Sequence, residues 1–404
     1  MSKFYDLINY NSKKIQFDIK NIDLSIVNSL RRIILAEIPN IAFKFDQYHI
    51  DTNDIKININ KGVLHNEFIA HRFSLIPICF DENDLYNFKP ENYKFTLKIK
   101  NNSTYTINVT SKNIEIFDSN NKKYPQDFHD KVFPYNNISK DYILITKLKP
   151  NLYDPNNGDE LNIESTASID IAKTHSRWCP TSQCCFYNKV NTELADKALA
   201  EKINDKNLTP SEIEIITSKF NNLDIYRYYK KNNFDEPNEF VFLIESECNL
   251  RPTYLFFKSL TILNSKLNSF ISKLNENLNS ISISNIGNNN NFYQIGIKDE
   301  DHTLLNIIQC LIYNQYFRNN NNNNNNILDY IGYYQPHPLD NLMYIKLKFN
   351  PNTSTDIDYV KNFLVDAIKI IMIEIDNITK EWITFTKLDK FDIIEVNNYL
   401  QSNL

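Results

Sequence analysis

One eight-residue pattern occurs twice, in opposite halves of the chain. Asp23 to Leu30 reads DLSIVNSL, and Asp301 to Ile308 reads DHTLLNII. Both run Asp, any residue, a hydroxyl residue, two aliphatics, Asn, any residue, an aliphatic. Each opens an amphipathic helix, because the leading polar residues can cap it and the aliphatics recur at helical spacing. In the first copy Asp23 or Ser25 supplies the cap, Val27, Leu30, Ile34 and Ile38 form the buried stripe, and Pro39 ends it. In the second, Leu304, Ile308, Leu311 and Ile312 form the stripe. Such a repeat constrains the chain to two related halves joined end to end.

The flanks follow the same plan. IAFKFDQYHI and IKININ alternate like strands after the first copy; FYQIGI precedes the second and YIKLKF follows it. A long helix starts at Pro252, where Phe256, Leu260, Leu263, Leu267, Phe270 and Leu274 step by four and three. A second long pattern, from about 356 to 384, places Val360, Phe363, Leu364, Ile368, Ile371 and Ile375 on one side. Each half thus exposes one apolar seam, and packing the seams together gives a pseudo-dimer. Between about Asp81 and Leu161 short alternating runs (YKFTLKIK, TYTINVT, YILITKL) indicate a β-rich insert. SNIGNNNN (Ser284 to Asn291) has linker composition, and Asn319 to Asn326 reads as a solvated loop.

Composition excludes several function classes. The 404 residues suffice for two or three domains with ample core, and 42% are hydrophobic. Apolar runs stay far short of the roughly 20 residues of a membrane span, and MSKFYDLINYNSKK lacks a secretory h-region. The 6 scattered cysteines fit a reducing compartment. With 5 glycines, and neither GxxxxGK[ST] nor GxGxxG, no phosphate-binding loop is available. At a net charge of −5, any nucleic-acid contact has to be local or made by a partner. His175, Cys179, Cys184 and Cys185 cluster, but their spacing is not that of a zinc site. No D-x-D-x-D run for a two-metal site and no nucleophile–base arrangement stands out, and the acidic DEND (Asp81 to Asp84) reads as a solvated loop. No catalytic residue, metal or cofactor is therefore expected.

Six segments carry a family resemblance. NSLRRIILAEIPNIAF (Asn28 to Phe43), NEFIAHRFSLIPI (Asn66 to Ile78), IAKTHSRWCP (Ile171 to Pro180) and FVFLIESECNLRP (Phe240 to Pro252) resemble, in order, the larger alpha-like subunit of DNA-directed RNA polymerase: the third subunit of nuclear polymerase II and its archaeal counterpart. EDHTLLNIIQ (Glu300 to Gln309) and YIGYYQPHPLDNLMYIKLK (Tyr330 to Lys348) resemble the smaller one, the eleventh subunit of nuclear polymerase II and its archaeal counterpart. Those subunits are ordinarily separate chains, and their fusion, with the A+T-rich composition, resembles the arrangement in large cytoplasmic DNA viruses. Many larger alpha-like subunits carry a zinc loop of four cysteines after the LIP segment; here Cys79 stands alone there, before FDENDLYNF.

The resemblance implies an α+β fold: a pseudo-dimer of two mixed-sheet, two-helix halves with a β-rich insert in the first. The implied divisions are 1–46 and 189–283 for the larger half, 47–188 for the insert, 284–291 for the linker and 292–404 for the smaller half. Function is implied as a non-catalytic assembly platform for the two largest polymerase subunits, especially the second-largest, aided by small assembly subunits. DNA would be met only through the complex, no membrane is involved, and the location would be the virion and host cytoplasm. The alternative is an alpha-like interaction scaffold acting outside polymerase; a free-standing metal or nucleotide enzyme has no supporting motif. Arg31, Arg32 and Glu37 are the expected contacts to the large subunits, since arginine's planar fork suits interface carboxylates and carbonyls. Asn28 and Asn306 share one position of the repeat and are expected to bond a neighbouring loop backbone. His302 belongs to the same helix entry, and His337 lies in a turn between two prolines.

Overall fold

The computed structural model describes residues 2–154, 157–204, 208–276, 280–287, 291–318, 327–351, 353 and 355–402; the Asn319–Asn326 tract lies outside the described residues. The first half opens with the hairpin β1 (Phe4–Asn11) and β2 (Lys14–Lys20), then α1 (Leu24–Ala36). The helix stops short of the expected Ile38, because Pro39 has no amide hydrogen to continue it and instead opens β3 (Pro39–Ala42). The strand expected over IAFKFDQYHI is limited to that short element.

The insert follows: β4 (Ile55–Asn60), α2 (Asn66–Ser74), α3 (Glu82–Tyr86), β5 (Lys94–Lys100), β6 (Ile107–Thr110), β7 (Glu115–Phe117), α4 (Gln126–Val132), β8 (Leu144–Leu148) and β9 (Glu160–Ser165). One sheet has the order β4-β9-β5-β7 and a small one pairs β6 with β8. Phe43 anchors their core, 4.7 Å from the Phe73 ring and 5.0 Å from Phe95. DEND is mostly the short helix α3, with Glu82 buried, and not a solvated loop.

The chain leaves the insert through β10 (Ser168–Ile171), which pairs with β3 to form a two-stranded stalk. Next come β11 (Thr181–Asn188), α5 (Thr192–Asn204), α6 (Pro210–Asn222), β12 (Glu239–Ser246) and α7 (Pro252–Asn275). The expected insert of 47–188 is too long at its end, since β11 pairs with β12 along its length and belongs to the first half's sheet.

The second half is β13 (Ile281–Asn285), β14 (Phe292–Lys298), α8 (His302–Tyr313), β15 (Leu328–Tyr334), β16 (Leu342–Phe349), α9 (Ile357–Thr386) and α10 (Ile394–Ser402). Within Ser284–Asn291, expected as a linker, Ser284 and Asn285 instead end β13, where Asn285 pairs with Tyr293, while 288–290 lie outside the described residues. Gly287 takes φ +71 just after β13, a left-handed backbone that suits glycine. The described residues of the first half end at Glu276 and those of the second begin at Ser280.

The two halves share one topology. Each runs hairpin, helix, second strand pair, long helix. The sheets are β1-β2-β12-β11 and β13-β14-β16-β15, so the fourth strand lies inside the third in both. Expected as mixed, both sheets are antiparallel throughout their described strands. In sequence order the insert and the Asn tract both fall between the shorter helix and the third strand. The helices α5 and α6 fill the next connection of the first half, where the second has only the QPHPLDN turn.

α7 packs along α9. All expected seam residues are buried: Phe256, Leu260, Leu263, Leu267, Phe270 and Leu274 on one side, Val360, Phe363, Leu364, Ile368 and Ile371 on the other. Each fully buried side chain of this kind contributes roughly 1.5–3 kcal/mol. The helices run antiparallel, since Trp382 Nε1 donates to Thr253 O at 2.9 Å and Asn264 Nδ2 to Asp376 Oδ1 at 2.9 Å. Each reaches the other half. Trp382 of α9 lies 4.6 Å from the Phe17 ring of the first sheet and 4.3 Å from Phe256. Lys273 near the end of α7 pairs with Glu300 of the second half at 2.8 Å.

Candidate subunit interface at the paired helices

The repeated Asp caps its helix in both copies. Asp23 Oδ1 accepts from Ser25 N at 2.8 Å, and Asp301 Oδ1 from Thr303 N at 3.0 Å. The hydroxyl position of the pattern is therefore the residue whose amide the cap satisfies. The helices then meet each other. Ser29 Oγ donates to Thr303 O at 3.1 Å, Arg32 Nε to Thr303 Oγ1 at 2.9 Å, and Asn314 Nδ2 to Asp23 Oδ2 at 2.7 Å. The start of α1 thus lies at the end of α8, and its middle at the start of α8. The two copies of the sequence pattern are bonded to each other.

Arg31 and Arg32 lie half-buried on α1 beside this junction. Arg31 donates from Nε and Nη2 to Asn28 Oδ1, at 3.1 and 3.0 Å. Neither arginine has a carboxylate within ion-pair distance among the described residues, so both charges are available to a partner. Glu37 differs from expectation: it pairs with Lys266 of α7 at 2.6 Å with a side chain only 11% exposed, so it joins α1 to α7 instead of facing outward. The expected loop contacts of the paired asparagines are also replaced. Asn28 orients Arg31, and Asn306 Oδ1 accepts from Cys310 Sγ at 3.5 Å one turn on. His302 stands at the helix entry with its ring 5.7 Å from Tyr333.

Lysines hold the junction electrostatically. Burial pushes the Asp301 carboxyl up, but the ammonium groups of Lys266 and Lys173, with the Thr303 bond, bring it down to about 2. Lys173 Nζ lies 3.2 Å from Asp301 Oδ2.

The HSRWCP segment has a different task. Arg177 donates from Nη1 to Phe43 O at 3.0 Å and from Nη2 to Phe45 O at 2.8 Å, and Trp178 Nε1 donates to Ser168 O at 3.2 Å. These bonds fasten the chain where it enters and leaves the insert. Alternation on β11 sends Cys184 into the core and leaves Cys185 half-buried, while Cys179 Sγ donates to Thr181 O at 3.1 Å. Among the described residues no three His, Cys, Asp or Glu side chains gather as a metal site, and no helix is long and apolar enough to cross a membrane.

Sequence reasoning missed Ser29, Thr303 and Asn314 as cross-half contacts. Ser29 and Asn314 carry no signal of their own, because which helix faces meet is set by packing. Thr303 was visible as the hydroxyl of the second copy.

Several curated relatives are named as polymerase subunits. DNA-directed RNA polymerases IV and V subunit 3B of Arabidopsis thaliana is 25% identical over 63% of this chain and 86% of its own length. DNA-directed RNA polymerase II subunit RPB3 of Schizosaccharomyces pombe is 26% identical over 66% and 86%. DNA-directed RNA polymerase subunit Rpo3 of Pyrobaculum arsenaticum is 25% identical over 63% and 90%. The sequence profile of the RNA polymerase Rpb3/Rpb11 dimerisation domain matches residues 16–267, which include α1, most of α7 and the first sheet apart from β1, Lys14 and Ile15, and the chain belongs to that family.

Proposed function

We propose that this chain is a non-catalytic platform subunit of a multisubunit DNA-directed RNA polymerase, uniting the larger and smaller alpha-like subunits in one polypeptide. The observation that carries this reading is the doubled topology, with α1 bonded to α8 and α7 packed along α9. The second half lies beyond the matched region, and its kinship to the smaller subunit rests on its repeated pattern and its strand order. Joining the halves makes their pairing intramolecular, with an effective concentration on the order of millimolar for a short linker.

In this reading the two large catalytic subunits assemble on the α1–α8 face, where Arg31 and Arg32 meet carboxylates or carbonyls of the second-largest. Chemistry belongs to those partners. The fused arrangement also leads us to place the protein in a large cytoplasmic DNA virus, in the virion and the host cytoplasm.

A tagged copy pulled from its native source, with identification of everything retained, tests the reading. Recovery of the two largest polymerase subunits is expected. A lone monomer would instead favour a scaffold acting outside polymerase.

A further inference from the structure

The two sheets differ on the faces turned away from the helices. On the first sheet, lysines mostly meet carboxylates, although Lys20 lies 5.2 Å from the Tyr5 ring centre. Lys14 pairs with Glu245 at 2.9 Å, Lys230 with Glu239 at 2.9 Å, and Lys189 with Asp18. On the second sheet, Lys346 meets an aromatic ring with no carboxylate beside it among the described residues. Residues pointing inward, such as Ile295, Ile345 and Leu347, are fully buried. By alternation Tyr344, Lys346 and Lys348 of β16 point outward, with Tyr330 and Tyr334 of β15 opposite them.

These rings lie on the sheet because glycines make room. Gly332 stands two residues from Tyr330, and a Cβ there would come within 2.9 Å of the Tyr330 Cζ. Gly296 pairs with Tyr344, and a Cβ there would come within 3.1 Å of its Cε1. A Cβ at Gly332 would force the Tyr330 ring to shift, and one at Gly296 would crowd Tyr344 and the Ser282 hydroxyl. Tyr334 and Tyr344 stack at 5.3 Å with 20° between planes. Tyr330 is 48% and Tyr334 38% exposed.

Cations border the rings. Lys346 Nζ sits 4.6 Å from the Tyr334 ring centre, and Lys298 is exposed at the end of β14. Neither has a carboxylate within ion-pair distance among the described residues, whereas Lys348 is 3.6 Å from Asp329 at the bulge of the edge strand.

We propose that the outer face of the second sheet is a platform for single-stranded nucleic acid. Unpaired bases stack on Tyr330, Tyr334 and Tyr344, and Lys298 and Lys346 take the phosphates. Flat rings on an open antiparallel sheet suit splayed bases and not a duplex, whose bases stack on each other. Unmatched lysines distinguish the face from a protein interface, whose buried centre is depleted in lysine. The overall charge of −5 restricts the contact to this patch. The inference does not rest on the assembly reading, since it is a property of the chain alone.

Fluorescence anisotropy of the full chain tests it, with labelled oligouridine and oligothymidine of about fifteen nucleotides and a duplex of equal length. Both single strands, or one of them, should bind more tightly than the duplex. Tyr330→Ala and Tyr334→Ala should each weaken binding about tenfold. Lys346→Glu should weaken it and flatten its salt dependence. Lys346→Glu changes no buried contact, so it still reads the face if an aromatic variant unfolds. Tyr187→Ala on the first sheet should change nothing. Absence of binding, equal binding of the duplex, or binding insensitive to all three variants overturns the proposal. So does a face that binds no oligonucleotide but whose Tyr330→Ala variant loses a co-purifying protein.

Discussion

Asn314 donates from Nδ2 to Asp23 Oδ2 at 2.7 Å, while the other oxygen of the same carboxylate caps α1. One side chain therefore starts the helix of the first half and closes against the helix of the second. Asp23→Ala removes both contacts and should lower stability by about 1–3 kcal/mol. Asn314→Ala removes only the cross-half bond and should cost about 1 kcal/mol. Urea unfolding of both variants measures the difference. Equal losses would mean that the cap contributes nothing.

The long-helix seam should hold the halves together without the covalent connection. A protease site placed within 276–280 should yield, after cleavage, two pieces that co-elute in gel filtration. Leu263→Asp puts a charge into the fully buried seam and should release them after cleavage. Leu263→Ala should keep the association but cost about 2–5 kcal/mol in denaturant unfolding. Separation of the cleaved wild-type pieces would show that the seam is insufficient.

Asp301 gives the junction an acid-sensitive contribution. Its folded-state carboxyl is brought down to about 2 from an ordinary value of 3.8. A depressed carboxyl stabilises the fold above the unfolded value, and that stability is lost as pH falls through about 4 to 2. The side chain is partly exposed to water, so after screening the contribution is on the order of 1–2 kcal/mol. Asp301→Asn should flatten the stability profile across that window and lower stability at neutral pH. A profile identical to wild type would disprove the coupling to Lys266 and Lys173.

The C-terminal helix straps the insert to the seam. Asn83 of α3 donates from Nδ2 to Asp392 O at 3.0 Å and accepts from Ile394 N at 2.9 Å, at the start of α10. Behind it, buried Glu82 accepts from Arg251 N at 2.8 Å, and Glu395 accepts from Tyr254 OH at 2.6 Å. Asn83→Ala should therefore speed hydrogen exchange across 394–402 while leaving the α7–α9 amides protected. Unchanged exchange in α10 would locate its anchorage in its other contacts, Glu395 with Tyr254 and Tyr399 with Asp376.

The parts of this fold legible in sequence are those with local periodicity or a repeat. α1, α7, α8 and α9 are readable because each carries a long apolar stripe, and the seam residues follow from that spacing. Ser284 and Asn285 mislead because polar composition looks the same in a linker and at a strand end; only the pairing of β13 with β14 separates them. β11 reads as part of the insert because the motif before it belongs to the stalk, and sheet membership is a long-range property. α5 and α6 escape notice, although Thr209-Pro210-Ser211-Glu212 spells a capping box that the structure forms. Of the interface, the arginines are legible and the commitment of Glu37 to Lys266 is not, because an ion pair 229 residues apart leaves no local trace.

The two arginines should separate in a binding experiment. Among the described residues Arg31 bonds only to Asn28 on its own helix, so Arg31→Ala should leave the fold intact and weaken retention of the second-largest polymerase subunit. Arg32 also bonds Thr303 of the second half, so Arg32→Ala should weaken retention and additionally cost about 0.5–1.5 kcal/mol of stability. Lysine at either position keeps the charge but loses the planar fork, and should give intermediate retention. Quantitative co-purification paired with urea unfolding distinguishes these outcomes. If both alanine variants retain the large subunits undiminished, the paired helices join the two halves but are not where the catalytic subunits assemble.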